Sequence, residues 1–416
     1  MSVQREFKER VQGRVKEYMP SRMIAGDRIL WVIITILAVV SVLVVYSSTA
    51  KMAYDPAAIR TTSHFLGRQL FFLAVSAGVI LVCHHINSRF YRAAAFPFYV
   101  LALVLTFITL FFGSSTNGAA RWINIVGFQF QPSEMLKVMT LVLLAKQLAQ
   151  RQESIKGIEI LPNFKFKART TFGQIAEFWR SGFVQILGPV VMACAVILPA
   201  HTSSSLLLFA SSFVMLAIAR VPSRQLLKLV GWGAALALSY TIIGAGRSET
   251  AGNRVTQWVD IWTQDRTHIP VEELSDTERS MIAIHDGGLV GLGAGRSAMR
   301  VEMIHPESDY AFAFFVEEYG LLLSIVLLLL YLCIFFRSIE IFKLCSSRFS
   351  ALLVLGLGMM ITLQALSHIA VSINLIPETG QTLPLISRGG SAMIFNAMAL
   401  AIILSVSRQT EEHSHS

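Results

Sequence analysis

Apolar residues along the chain gather into ten runs, at roughly 29–48, 69–86, 93–112, 133–149, 183–200, 203–219, 226–243, 311–336, 351–373 and 391–407. Most approach the ~20 residues that a helix needs to cross the hydrocarbon core, where every backbone N–H and C=O must be satisfied within the segment. The pattern predicts an all-α polytopic membrane protein with about ten transmembrane helices. The polar breaks are short except for a basic stretch at 150–182 and a long external loop at 244–310, between helices 7 and 8. That loop is too long to be a mere connector, so chemistry is expected there.

Composition agrees with the periodicity. The chain is 54% hydrophobic and only 15% charged, outside the range of soluble domains. The first run follows a segment carrying Arg5, Lys8, Arg10, Arg14, Lys16, Arg22 and Arg28, with no small-residue cleavage site, and reads as a retained first helix. With the N-terminus inside, ten spans return the C-terminus inside, and the inner segments then hold most of the 35 Lys and Arg. Basic edges facing anionic lipid account for the net charge of +9 without a nucleic-acid partner. The expected organisation is a cytoplasmic basic segment at 1–28, one membrane domain at 29–407 and a short cytoplasmic tail at 408–416. Cys83, Cys194, Cys333 and Cys345 fall in spans or at their inner edges and read as packing residues.

Three clusters interrupt this apolar pattern. In the first, residues 113–137, a polar and aromatic-amphipathic stretch leads into a span opened by Pro132, a favoured first helical residue. Glu134 and Lys137 share one helix face there, beneath Gln131. A charge within a span costs roughly 2.5–3.5 kcal/mol and usually lines a water-filled or protein-lined cavity. The alternative is an ion pair at the membrane edge.

The second cluster, residues 304–320, sets Asp309 at the mouth of the eighth span with Glu317 and Glu318 two turns on. A rise of about 1.5 Å per residue separates Asp309 from Glu317 by about 12 Å, which favours different roles over a shared acid/base pair. Upstream, glycines at 287, 288, 291, 293 and 295 either present backbone N–H groups to an anion or make a tight turn. The third cluster, residues 375–393, is an external loop in which Arg388 could hold phosphate. His201, His285, His305 and His368 show neither metal-ligand spacing nor a triad pattern.

These clusters, in this order, resemble the SEDS family (shape, elongation, division and sporulation), whose members include FtsW and RodA. The resemblance covers essentially the whole chain. It is carried by Arg121-Trp122-Ile123, Gln131-Pro132-Ser133-Glu134 with Lys137, Gly287-Gly288 to Gly295, Ser308-Asp309 to Glu317-Glu318-Tyr319-Gly320, and Leu383-Pro384-Leu385-Ile386-Ser387 with Gly389-Gly390-Ser391. Weaker echoes are Tyr46-Ser47-Ser48 and Arg68-Gln69. The run from Thr382 to Ser387 is closer to the division-associated FtsW branch than to RodA. Departures are Arg388 where the family commonly has Tyr, Pro306 close to Asp309, and Pro199-Ala200-His201 in place of a common Pro-Asp.

The resemblance implies an inverting glycosyltransferase that polymerises lipid II, an undecaprenyl-diphosphate-linked disaccharide-pentapeptide, on the outer face of the cytoplasmic membrane. It implies septal cell-wall synthesis as the setting, and Asp309 as the essential external aspartate. A single inverting displacement needs a base on the acceptor 4-hydroxyl and charge neutralisation at the departing diphosphate. Asp309 is the candidate base. Arg68, Arg121, Lys137 and Arg388 are the candidate cations, Glu134 orients Lys137, and Gln131 lies beside them. A divalent cation, Mg or Mn, bridging diphosphate and Glu317 remains open. Implied partners are a class B penicillin-binding protein with transpeptidase activity and other divisome membrane proteins. A lipid-precursor flippase or transporter, or a non-catalytic division scaffold, is the alternative; an alternating-access carrier would place its polar groups near the midplane.

Overall fold

The computed structural model describes residues 25–48, 62–116, 119–125, 128–151, 183–231, 233, 249–263, 268–303 and 307–415. The N-terminal basic segment up to residue 24, residues 152–182 of the basic stretch, most of the seventh run, and Pro306 with His305 lie outside the described residues. In chain order the elements are α1 (Arg28–Ser48), α2 (Thr62–Cys83), α3 (Ser88–Phe112), β1 (Ser114–Thr116), β2 (Ala119–Ile125), β3 (Phe128–Phe130) and α4 (Pro132–Arg151). A π-helical turn at Phe183–Leu187 leads into α5 (Gly188–Ile197), followed by α6 (Thr202–Ile218); residues 223–231 are also helical. Then come α7 (Glu249–Thr263), α8 (Asp276–Gly287), α9 (Met299–Glu302), α10 (Ala311–Leu344), α11 (Arg348–Ser372) and α12 (Ser391–His415).

Six of the described helices, α1, α2, α3, α10, α11 and α12, are long and apolar enough to cross a membrane. Helices α1 to α3 turn Val32, Val39, Phe71, Val82, Phe96 and Phe107 outward, an apolar belt that lipid would cover. The centre is α4 with α11 and α12, whose side chains are buried nearly all round. Local signals fix the starts. Asp27 accepts the Leu30 N–H ahead of α1, Asn87 caps α3, and Ser275 with Glu278 forms a capping box on α8. Residues 408–415, expected as a tail, continue α12, with Arg408 paired to Glu412 one turn on.

One departure from an all-α chain is the three-stranded antiparallel meander β1-β2-β3. Ser114 opposes Trp122 and Ile123 opposes Phe130. It delivers the chain to Pro132, so α4 begins where the last strand ends.

The second departure lies in α10. Gly320, at φ 81° and ψ 169°, breaks it into two helices. Ala311 to Glu318 are buried, whereas Leu321, Leu322 and Leu323 expose 41, 59 and 51% of their surface. The Ser387 hydroxyl donates to the Ser308 carbonyl and accepts the Leu383 N–H, and the neighbouring Pro384 carbonyl accepts the Tyr331 hydroxyl. These links hold Ser308 and Tyr331 within about 30 Å by chain reach. A straight helix would set them about 34 Å apart. The chain therefore bends at Gly320. The expected span at 311–336 falls within α10, and Gly320 divides it: residues 311–318 are buried in the bundle and the exposed apolar surface starts at Leu321.

The glycine-rich segment makes this break feasible. Leu292 and Gly293 donate N–H groups to the carbonyls of Glu317 and Glu318, while Leu321 and Leu322 donate to Gly288 and Leu289. A Cβ on Gly291 would stand 2.3 Å from the Glu318 oxygen, and one on Gly287 2.3 Å from the Val316 oxygen. The tight-turn reading of these glycines is the one the structure adopts, with their neighbours' donors spent on α10.

Candidate active site

The N-terminal ends of α4 and α12, the turn before α10 and the segment 373–390 meet at one end of the bundle. Near the start of α4, Lys137 Nζ lies 2.9 Å from the Glu134 carboxylate, with side chains 1% and 7% exposed. Gln131 donates its side-chain amide to Ser133 and its backbone N–H to the hydroxyl of Ser391, the first residue of α12. Phe130 packs edge-on against Phe395 at 5.7 Å, fixing the same junction. The ammonium of Lys137 makes no well-formed hydrogen bond among the described residues beyond its ion contact. A buried ammonium with donors to spare can receive an anionic group.

Asp309 stands in the turn that precedes α10, partly exposed, with one carboxylate oxygen accepting the Ser308 hydroxyl at 2.9 Å. This turn is held by the preceding and following strands of chain. Arg388 donates its N–H to the Glu307 carbonyl at 2.9 Å and its guanidinium to the buried Glu307 carboxylate at 3.1 Å. The Phe312 N–H reaches His368 Nε2 at 3.3 Å, and His368 Nδ1 lies 2.7 Å from the Gln381 carbonyl. That pattern requires a neutral ring with its proton on Nδ1.

Residues 381–388 do not stay on the surface as an external loop would. The carbonyls of Thr382, Pro384 and Ile386 accept from Gln364 of α11, Tyr331 of α10 and Ser41 of α1, and Gln69 of α2 donates to Ser41. Leu383, Leu385, Ile386 and Ser387 are buried. This is a re-entrant segment, and irregular backbone survives at that depth because side chains from three helices satisfy it, one of them held in turn by Gln69 of a fourth.

Arg68 lies over the Phe72 ring at 5.8 Å, and that ring would stand 3.3 Å from a Cβ on Gly390. Arg121 lies in β2, in the meander that feeds α4. The structure thus gathers Arg68, Gln131, Glu134, Lys137, Asp309 and Arg388 around or beside residues 387–391. Glu317 is placed elsewhere: one oxygen accepts the N–H groups of Ala298 and Met299 at 2.7 and 3.1 Å, and the other accepts the Ser297 hydroxyl. It anchors the segment after the glycines, as Glu318 does through Gly295 and Ser47.

Two helices of the long loop bear on the site. Arg254 of α7 lies 3.6 Å from Glu378, and Trp258 donates to the Asn374 carbonyl at 3.1 Å. Burial pushes the Glu378 carboxyl above the usual carboxylate range, with Arg254 pulling the other way and Asp309 and Asp276 adding to the rise. Thr277 of α8 meets the Tyr310 hydroxyl at 2.8 Å, next to Asp309. Sequence reasoning singled out neither Glu307 nor Tyr331 nor Gln381, and it gave His368 no role. A polar residue in an otherwise apolar run was the available signal for His368 and Gln364; the others depend on long-range pairing.

The fold and site together define a multi-pass helical membrane protein with a buried charged cluster at one end of its bundle. A family profile described as cell cycle protein, FtsW/RodA/SpoVE, matches residues 27–412, and the chain belongs to that family. It is 27% identical over 403 residues to stage V sporulation protein E of Bacillus subtilis (strain 168), covering 94% of this chain and 99% of the relative. It is 30% identical over 359 residues to the probable peptidoglycan glycosyltransferase FtsW of Tolumonas auensis, covering 82% and 83%. Among solved structures, one described as a peptidoglycan synthase complex coordinating polymerization and crosslinking matches with a TM-score of 0.67 at 22% identity, covering 93% of this chain and 98% of that one. The crystal structure of the rod shape determining protein RodA of Thermus thermophilus matches with a TM-score of 0.60 at 22% identity, with the same coverage. At that identity the structural likeness bears on the fold.

Proposed function

We propose that this chain is a peptidoglycan glycosyltransferase that polymerises lipid II, with Asp309 as the base. Asp309 takes the proton of the acceptor 4-hydroxyl as its oxygen attacks the donor anomeric carbon. The bond from that carbon to the diphosphate oxygen breaks, and undecaprenyl diphosphate leaves with the electron pair. Attack opposite the leaving group turns an α sugar–diphosphate link into a β glycosidic link. Lys137, oriented by Glu134, together with Arg68 and Arg121, neutralises the diphosphate; Arg serves by bidentate hydrogen bonding and Lys as a point charge. The observation that carries the reading is the 387–391 stretch, which ties the Asp309 turn at one end to the Gln131–Glu134–Lys137 turns of α4 at the other.

A divalent cation on Glu317 does not fit the surroundings of that residue. Both carboxylate oxygens already accept donors from residues 297–299, so no step is routed through a metal there. The setting is the bacterial cytoplasmic membrane with both termini inside. Arg28, Arg89, Lys343 and Arg348 at helix ends, with Arg337 and Arg408 about two turns before the ends of α10 and α12, all lie remote from the site and support that orientation. The partner is a class B penicillin-binding protein that crosslinks the new strand, and the process is septal wall synthesis.

The test is glycan-chain formation from purified lipid II by the purified protein with its cognate penicillin-binding protein, the partner's transpeptidase serine being blocked. Polymer is expected from the wild type and none from a folded Asp309→Asn. Equal polymer from both removes Asp309 from the chemistry, and none from either favours a flippase.

A further inference from the structure

The dipeptide Ser387-Arg388 grips the dipeptide Glu307-Ser308 through three contacts. These are Ser387 Oγ to the Ser308 carbonyl at 2.8 Å, Arg388 N–H to the Glu307 carbonyl at 2.9 Å, and the guanidinium to the Glu307 carboxylate at 3.1 Å. The residue that follows is Asp309. The Glu307 side chain is only 4% exposed and that of Arg388 22%. Burying a carboxylate this far is costly without a partner, and breaking such a pair leaves an uncompensated charge. Arg388 spends both its backbone donor and a guanidinium donor on this one residue.

We infer that Glu307 and Arg388 form a clamp that positions Asp309, and that Arg388 acts through Glu307 and not as a cation for the diphosphate. The inference rests on Asp309 being the acceptor base. Removing the guanidinium leaves a buried negative charge two residues from Asp309, and removing the Glu307 charge leaves a positive one. The two changes therefore displace the proton affinity of the base in opposite senses. A cation that touches substrate would instead show itself in substrate affinity, with Glu307 silent. Among the described residues, the other ionisable groups that bear on this turn are His368 from α11, Tyr310 beside it, Glu378 from the 373–390 segment with its partner Arg254 from α7, and Asp276 from α8. None of them is altered in the variants below.

The experiment follows polymer formation from purified lipid II against pH and lipid II concentration, using the full chain with its partner. The variants are Glu307→Gln, Arg388→Gln, the double variant E307Q/R388Q and Asp309→Asn. The acid limb of the rate profile is expected to move up by about one pH unit in Arg388→Gln and down by about one unit in Glu307→Gln. Turnover falls about tenfold or more in each, with KM within about twofold of wild type. The double variant, which carries no unpaired charge, is expected to return the limb to its wild-type position. Should a single variant fail to fold, the double variant decides: a wild-type limb and KM support the clamp, and a raised KM overturns it. Arg388→Gln with a raised KM and an unmoved limb, beside a silent Glu307→Gln, makes Arg388 a substrate cation. Unmoved limbs with inactive Asp309→Asn overturn the clamp alone, whereas polymer from Asp309→Asn overturns the base assignment and the clamp together.

Discussion

The Ser387 hydroxyl donates to the Ser308 carbonyl at 2.8 Å while accepting the Leu383 N–H at 2.9 Å. One side chain thus closes the re-entrant turn on itself and ties it to the residue before Asp309. Ser387→Ala removes both bonds and leaves a buried N–H and a partly buried carbonyl without that hydroxyl, at a cost of about 1–3 kcal/mol. The expected outcome is a modest loss of thermal stability in detergent with a turnover loss of about tenfold or more, because the Asp309 turn is no longer pinned. A stability loss with unchanged turnover would restrict Ser387 to a folding role.

The Glu134–Lys137 pair is buried in the first turns of α4, a helix enclosed nearly all round. Glu134→Leu strands the ammonium and is expected to cost about 3–5 kcal/mol, whereas Glu134→Leu with Lys137→Met removes the unpaired charge and recovers most of that stability. Polymer formation is expected to stay absent in the double variant, since the diphosphate loses its ammonium. Thermal unfolding with the lipid II assay separates the two effects. A double variant that is stable and active would make the pair structural.

At Gly320 a Cβ would come within 2.4 Å of the Val290 backbone, and at Gly291 within 2.3 Å of the Glu318 carbonyl; both sit at positive φ. Alanine at either position is expected to abolish the folded state, because backbone has no rotamer with which to yield. Gly78 lies mid-helix in α2 with nothing within 4 Å of its Cβ position, and Gly78→Ala is expected to be neutral or to gain up to about 1 kcal/mol from helix propensity. Recovery of monodisperse protein after membrane extraction distinguishes these outcomes.

The same glycines show how far the sequence could be read. Spans such as Arg28–Ser48 and Arg348–Ser372 were legible because a continuous apolar run long enough to cross the bilayer has few alternatives. Glu134 and Lys137 were legible as a pair because their spacing alone puts them on one face. Gly320 was not, since one glycine in the run from Ala311 onward reads as continuous helix, and the break depends on residues 288–293 packing against it. Glu307 was passed over for the same reason: its partner lies 81 positions away in the chain. The apolar run ends at 407, but Arg408 and Glu412 support another turn and the chain continues helical to His415. Whole-run hydropathy fixed the spans, while the re-entrant geometry was set by hydrogen bonds that no local pattern encodes.

Glu378 supplies a pH signature. Its carboxyl is raised chiefly by burial, so the folded state holds that proton more tightly than the unfolded chain does. Between the ordinary value of 4.5 and its raised one, the native state binds more protons, and the contribution of this group to stability falls as pH rises. Relative to Glu378→Gln, the wild type is therefore expected to lose thermal stability progressively as pH increases from 4.5 through the raised value. Above it the difference levels off. Arg254→Ala should widen the window, because the guanidinium 3.6 Å away opposes the rise and its loss lets desolvation act alone. Unfolding midpoints of the three proteins measured against pH in one detergent decide the matter: parallel profiles for wild type and Glu378→Gln would mean that water reaches the carboxylate and that α7 does not seal this side of the segment leading to Asp309.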